Sequence, residues 1–199
     1  MDIKAKKMIQ RLLNVTQQNI LPLTYESVRA GNKLFGAAIL KKNDLSVVVA
    51  GTNRELENPL WHGEVYTIKK FYELPANERP DPKDCIFYST HEPCPLCLSA
   101  ITWGGYDVFY YLFSYMDTRD VFNMPHDLRI LKEVFKCENG HYAKENYYWK
   151  GYSILEMIKH CDKASQQELQ QQIQELKRSY DDLAQLYQQC KPDKGVPLN

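Results

Sequence analysis

The chain carries no net charge: 25 Lys and Arg stand against 25 Asp and Glu in 199 residues. No global positive field therefore draws it onto a phosphate backbone, which disfavours nucleic acid as its main ligand. Long hydrophobic runs are also missing. The longest aromatic and apolar stretch, Val108 to Met116, falls far short of the roughly 20 residues that a membrane-spanning helix needs. The basic start Met1-Asp2-Ile3-Lys4-Ala5-Lys6-Lys7 is not followed by the apolar segment of a signal peptide. A soluble, cytoplasmic protein with no membrane partner is expected. Cysteines are few, at 85, 94, 97, 137, 161 and 190. In a reducing compartment they form no disulfide framework, and only Cys94 and Cys97 are spaced like metal ligands. The other four read as small buried apolar residues. What the chain does have is 44% hydrophobic residues, enough for the core of one domain with an appendage.

Periodicity organises that content. Met8, Ile9, Leu12, Leu13 and Val15 form a helical stripe within 4–19, and Pro22 predicts a kink or a second short helix running to Gly31. Leu34 to Leu40 is apolar on both faces, as a central strand is, and Ser46 to Gly51 reads as its hairpin partner across a polar turn. Two helix-with-strand units follow: a helix from Gly63 to Leu74 with a strand from Cys85 to Thr90, then a helix from Cys94 to Trp103 with a strand from Asp107 to Ser114. Such alternation predicts an α/β layered domain. Signals weaken between 116 and 160, leaving one helix at Leu128 to Phe135 and an aromatic stretch at Tyr147-Tyr148-Trp149. From Ala164 to Gln189 the apolar residues Leu169, Ile173, Leu176, Tyr180, Leu183 and Tyr187 fall at steps of four and three. That seam suits either a helix packed back onto its own domain or one paired with another subunit. The division expected is a domain over 1–160 with its core at about 20–120, an amphipathic helix over 163–190 and a flexible tail over 191–199.

The chemistry is concentrated in His62-Gly63-Glu64 and, thirty residues on, Pro93-Cys94-Pro95-Leu96-Cys97. His-x-Glu followed by Pro-Cys-x-x-Cys is the signature of zinc deaminases. The physical reasons stand separately. Cys94 and Cys97 are three apart, so on a helix both sulfurs share a face. Pro95 suits the first helical position, and the free N–H groups there favour thiolate over thiol. Two thiolates and the His62 imidazole make three ligands, leaving the open fourth position of a catalytic zinc. Zinc lowers the pKa of water from about 15.7 to about 7. Glu64 is the carboxylate placed to take the water's proton, pass it to a ring nitrogen and protonate the departing amine. Each element also has a duller reading. His62 alone is a surface histidine and Glu64 alone a solvated helix residue. Cys-x-x-Cys occurs in redox sites and in structural zinc sites, which here could recruit His91, Cys137 or His141.

On these residues the sequence resembles the cytidine deaminase-like superfamily, more closely its branch of guanine deaminases and transfer-RNA adenosine deaminases. The resemblance covers about residues 20 to 120 and includes Phe35-Gly36-Ala37-Ala38, Gly51-Thr52-Asn53-Arg54, Asn58-Pro59, and Glu92-Pro93-Cys94-Pro95-Leu96-Cys97 followed by Ala100-Ile101-Thr102-Trp103. It implies a three-layer α-β-α fold with a mixed five-stranded sheet, here with an added C-terminal amphipathic helix. By the same resemblance His62, Cys94 and Cys97 bind one zinc ion per chain, and Glu64 shuttles protons. Asn53 bonds to substrate, the Gly63 N–H holds a ring carbonyl or nitrogen, and Phe35 walls the pocket or merely fills the core. The departures matter too. Gly63 replaces the usual alanine, a change that keeps the N–H. Trp61 stands where many members carry a small residue, which suggests stacking on substrate or a narrowed entrance. His91 is a pocket donor or a satisfied core side chain. Asp117 and Asp120 either read a substrate amino group or cap a turn.

The implied activity is hydrolytic deamination of a nucleobase or nucleoside, with a guanine-like purine favoured, in a homodimer. The alternatives are adenosine-to-inosine editing of transfer RNA, which needs a basic groove and stacking aromatics, deamination of cytosine or cytidine, and a zinc-stabilised module without catalysis.

Overall fold

A computed structural model of the chain describes residues 3–120, 125–192 and 196–197, with the side chains of Ile3, Lys4 and Asp120 outside the description. The first stripe forms α1, Ile3–Val15, which buries Ile9, Leu12, Leu13 and Val15. A π-helical turn over Thr16–Ile20 carries the chain without a break into α2, Leu21–Arg29. Pro22 sits in the first turn of α2, where a missing N–H costs nothing. The interruption expected at this proline is thus a change of helical pitch. Gly31 closes α2 at φ +100°, and a Cβ there would lie 3.0 Å from the Cys190 carbonyl oxygen. The far end of the chain packs against this turn.

The sheet has the order β2-β1-β3-β4-β5. Its strands are β1 Gly36–Lys41, β2 Val47–Thr52, β3 Cys85–His91, β4 Val108–Phe113 and β5 Lys150–Ser153. The β1–β2 and β1–β3 pairs are antiparallel, whereas β3–β4 and β4–β5 are parallel. The edge strand β5 was not legible, because Lys-Gly-Tyr-Ser is short, polar and half exposed. It follows directly on the Tyr147–Trp149 stretch that the sequence marked only as aromatic.

Alternation along the strands sorts side chains into two cores. Ala37, Ile39, Phe87, Phe109 and Tyr111 meet Phe71 of α3 (Gly63–Glu73) and Leu98 and Ile101 of α4 (Pro95–Trp103). Ala38, Leu40, Ile86, Tyr88 and Leu112 face the opposite way, onto α1, α2 and two further helices. Between β4 and β5 lie α5, Tyr115–Asp120, and α6, His126–Phe135; α7, Ile154–Ile158, and α8, Lys163–Cys190, follow β5. The result is the three-layer α-β-α architecture with a mixed five-stranded sheet and a long C-terminal helix. Asp162 caps α8 by accepting from the Ser165 N–H at 2.9 Å. All six seam residues of α8 are buried in the chain's own core against α1 and α2. The choice between self-packing and pairing is settled by that burial.

Because β1 runs antiparallel to both neighbours, its start meets the ends of β2 and β3: Gly36 pairs with Thr52, and Ala37 with Ser89. The start of β1 and the C-terminal ends of β2, β3 and β4 thus share one end of the sheet, at the point where strand direction reverses. In open α/β sheets this is the place for a ligand.

Candidate metal and catalytic site

Two helices begin at that end, and each opens on a metal-ligand type of residue. His62 is the N-cap of α3, with φ −61° and ψ 159°, and Cys94 is the N-cap of α4, with φ −64° and ψ 169°. Neither side chain caps its own helix. The backbones do the closing instead, with Tyr66 N–H donating to His62 O and Leu98 N–H to Cys94 O, each at 2.8 Å. Both side chains are left to point toward each other. Cys94 Sγ lies 3.4 Å from His62 Nδ1 and 3.5 Å from Cys97 Sγ, and Cys97 Sγ lies 3.7 Å from His62 Nδ1.

This triangle suits a tetrahedral ion. Bonds of about 2.3 Å to sulfur and about 2.0–2.1 Å to nitrogen separate two sulfurs by about 3.8 Å and sulfur from nitrogen by about 3.6 Å. Soft thiolates with an imidazole are donors that select zinc. Among the described residues no other group of three His, Cys, Asp or Glu side chains converges in this way. His91 and the Cys137 and His141 pair, weighed above as extra ligands, are not in the cluster.

Glu64 completes the arrangement from the first turn of α3, buried to 4% exposure. Its Oε1 accepts from Ser89 Oγ at 2.8 Å and its Oε2 from Cys97 Sγ at 3.2 Å. Burial and then the charge of Cys94 hold the Glu64 carboxyl above its ordinary pKa. Burial alone would push the His62 imidazole down, but the hydrogen bond and charge of Cys94 outweigh it and raise it to about 9. The hydrogen bond it shares with Cys97 and the facing His62 imidazole hold Cys94 well below the ordinary thiol range. Cys97 is held high by burial and by the neighbouring Cys94. A metal would require both sulfurs deprotonated, which would release Glu64 Oε2 from Cys97.

A cavity of about 490 Å³ opens over these groups, within the size range of small-molecule sites. Phe35 and His91 line it, in edge contact at a centroid distance of 4.8 Å. His91 is fully buried, accepts or donates at Nδ1 with Thr90 Oγ1 at 3.0 Å, and is pushed down to about 3 by burial, so it is neutral at physiological pH. Thr90 Oγ1 donates to Gly36 O and accepts from Gly36 N–H, both at 3.1 Å.

Three other expected contacts stand differently. The Gly63 N–H, expected to face a ring atom, donates to Asn53 Oδ1 at 2.7 Å. Asn53 is fully buried, and its Nδ2 has no hydrogen-bond partner among the described residues. The glycine at 63 is also more than a mild change from alanine. A Cβ there would lie 2.7 Å from Phe35 O and 2.9 Å from Gly36 Cα. Trp61, expected to stack on substrate or narrow the entrance, is not part of the cavity lining. It packs on Tyr66 at 5.6 Å between centroids, beneath Lys69 Nζ at 5.2 Å. Asp117 is engaged at the start of α5. Its Oδ2 accepts from Ser114 N–H at 2.8 Å and from Ser114 Oγ at 2.7 Å, the capping role. The side chain of Asp120 lies outside the described residues.

One lining residue went unread in the sequence. Asp127, in the first turn of α6, faces the cavity beside His126 and Lys33. Burial, then the charge of Cys94, raises its carboxyl to about 8. An acid in the first turn of a helix is so ordinary a dipole partner that its sequence carries no signal of this role. Pro197, in the expected flexible tail, also lines the cavity, and Val196 is buried. Residues 193–195 and 198–199 of that tail lie outside the described residues.

Residues 14–113 match the family described as the cytidine and deoxycytidylate deaminase zinc-binding region. The chain is 35% identical to guanine deaminase of Bacillus subtilis (strain 168) over 101 residues, which is 49% of this chain and 62% of that protein. It is 31% identical to a probable cytosine deaminase of Schizosaccharomyces pombe over 75 residues, 38% of this chain and 44% of that one. The matches therefore span less than two thirds of either relative. Among solved structures, Bacillus subtilis guanine deaminase superimposes with a TM-score of 0.50 at 28% identity, over 67% of this chain and 80% of that one. A mutant of the protein NE0047 in complex with 8-azaguanine gives 0.54 at 16% identity, over 90% and 85% of the two chains, a likeness of fold.

Proposed function

Because the chain belongs to the cytidine and deoxycytidylate deaminase zinc-binding family, we propose that it hydrolyses an exocyclic amino group from a nucleobase or nucleoside, releasing ammonia, with a guanine-like purine favoured. The observation that carries this is the meeting of His62, Cys94 and Cys97 at two helix starts, with the Glu64 carboxylate against them at the base of the cavity. Those three side chains would hold the zinc, whose contribution is an acidified water and Lewis acidity at the reacting carbon.

The remaining work falls to residues of the chain. Glu64 is buried, and Ser89 fixes one of its oxygens, so the other is the one available to move a proton. It would take the proton from the attacking water, deliver it to a ring nitrogen and finally protonate the leaving amine. Phe35 offers a ring edge for stacking, and neutral His91 an aromatic wall. The unpartnered Asn53 Nδ2 is a buried donor for a ring carbonyl or nitrogen. Asp127 is an acid suited to a ring or amino N–H of the substrate.

The purine preference rests on the similarity to a guanine deaminase. Similarity to a probable cytosine deaminase favours a pyrimidine as the second reading. No helix among the described residues is long and apolar enough to cross a membrane. None of the six cysteines is in a disulfide; a cytoplasmic location is our reading. A homodimer is our reading of the assembly; Tyr72, Leu96 and Trp103 on α3 and α4 stay exposed at 47%, 37% and 91%.

The test is an ammonia-release screen over bases, nucleosides and nucleotides with the zinc-loaded protein, using Glu64→Ala as control. Release from guanine above all other compounds is the expected result. Release from cytosine alone would replace the purine reading. A zinc-loaded protein inert on every compound would remove the catalytic one.

A further inference from the structure

The segment from 138 to 149, between α6 and β5, lies outside residues 14–113, yet it reaches the metal site through one side chain. Glu92 ends the turn after β3 and stands two residues before Cys94. Its side chain lines the cavity and is only 4% exposed. A carboxylate buried to that degree is costly unless it is paired and hydrogen-bonded. Glu92 is both. Oε1 accepts from Lys144 Nζ at 2.6 Å and from Tyr142 OH at 3.0 Å, and Oε2 accepts from the Tyr115 N–H at 3.1 Å.

The same groups close a ring around the link to Cys94. The Tyr115 hydroxyl donates to the Pro93 carbonyl oxygen while its own N–H holds Glu92. The Glu92 N–H donates to Phe113 O at 2.7 Å. Lys144 also bonds the Tyr111 hydroxyl and lies over the Tyr111 and Tyr142 rings, at 4.8 and 5.4 Å from their centroids. The cation is thus held from three sides, so its direction is fixed. Without it, Glu92 would be a buried anion stripped of its counter-charge, and the Glu92-Pro93-Cys94 link would lose one of its three side-chain anchors.

We propose that Lys144 is a positioning residue for the metal site, acting through Glu92 to fix the backbone that aims Cys94 at His62 and Cys97. The proposal rests on the metal-binding reading of those three side chains. Partners one layer behind metal ligands commonly govern metal affinity by about 10–100-fold.

The experiment compares the full-length zinc protein with Lys144→Met, Lys144→Arg, Tyr142→Phe and the double variant Lys144→Met with Glu92→Gln. Three quantities are read: the rate of zinc transfer to excess 4-(2-pyridylazo)resorcinol, the visible spectrum of the cobalt(II)-substituted protein, and the thermal midpoint. Lys144→Met should release zinc at least about tenfold faster and shift the cobalt bands. Lys144→Arg and the double variant should return most of the way, since one restores the cation and the other removes the stranded anion. Tyr142→Phe should move the same readings by less; it serves as the test if Lys144→Met does not fold. A Lys144→Met protein, or in its absence a Tyr142→Phe protein, with a lowered thermal midpoint but unchanged zinc release and cobalt spectrum overturns the proposal. Because these readings need no substrate, a protein that holds zinc but deaminates nothing leaves the test intact. Loss of the metal reading itself would show as a parent protein that takes up no zinc.

Discussion

Asn53 Oδ1 accepts the backbone N–H of Gly63 at 2.7 Å, which ties the loop after β2 to the first residue of α3. Its acceptor closes a helix start, and in the function proposed above its donor serves the ligand. The two are separable by mutation. Asn53→Ala strands a buried N–H and should cost about 1–3 kcal/mol in urea unfolding. Asn53→Asp keeps an acceptor at a helix N-terminus, where negative charge is favoured, and should lose less. Both should raise KM by about tenfold or more, one hydrogen bond being worth about 1.4 kcal/mol at that factor. An Asp variant with unchanged KM would show that Nδ2 touches nothing in the complex.

In the proposed mechanism Glu64 carries the protons without binding metal, so Glu64→Gln should retain the parent's zinc content. The turnover number should fall by at least about 10²–10⁴, the range of positioned acid–base catalysis. Zinc analysis by atomic absorption beside a steady-state ammonia assay decides it. Activity near that of the parent would assign the proton transfers elsewhere.

Removing a first-layer donor acts differently. With Cys94→Ser, metal content after dialysis should drop below that of the parent and fall further as the pH is lowered. The reason is that the remaining ligands, His62 and Cys97, must each be deprotonated to bind, while the loss of Cys94 removes the group that holds the His62 imidazole up. Metal content measured after dialysis at pH 6 and pH 8 reads both effects.

Burial depresses His91 from 6.5 to about 3. Between those values the unfolded chain binds the proton that the folded one refuses. This group's contribution to stability is therefore complete above about pH 6.5 and is lost as the pH falls toward 3. His91→Gln should flatten the decline of the thermal midpoint between pH 6.5 and 4, whatever it costs at neutrality. An unchanged slope would mean that the histidine is charged in the folded protein.

Asp127 has the opposite sign. Its carboxyl is raised from 3.8 to about 8, so the folded form binds the extra proton and stability is lost as the pH rises across that window. Asp127→Asn should gain on the parent steadily from pH 4 to pH 8 in thermal melts. In the deamination assay it should lose preference for guanine over adenine. Equal melting differences at both ends would place Asp127 in contact with solvent.

Helix α8 can be tested through its seam. Leu176 is 2% exposed, among residues of α1 and α2, so Leu176→Ala should cost about 2–5 kcal/mol while leaving zinc content unchanged. A cost near zero would show that Leu176 is not packed into the core.

Much of this was readable along the chain, since local patterns have local causes. Alternation in Ala37 to Leu40 and Ile86 to Tyr88 assigns a strand with two buried faces. The steps from Leu169 to Tyr187 assign a helix with one. His-x-Glu and Pro-Cys-x-x-Cys each place their side chains at a helix start, because proline and the free N–H groups mark where a helix begins. Tertiary structure alone decided what depends on residues distant in sequence. It turned Trp61 toward Tyr66 and Lys69, spent Asp117 on a turn, brought Asp127 across to the cavity, and set Lys144 on Glu92. It also chose α1 and α2 as the partners of α8, and added Lys150–Ser153 as the fifth strand. A residue's period fixes which face it occupies, but what that face meets is set by chain closure over a hundred residues or more, which no local pattern encodes.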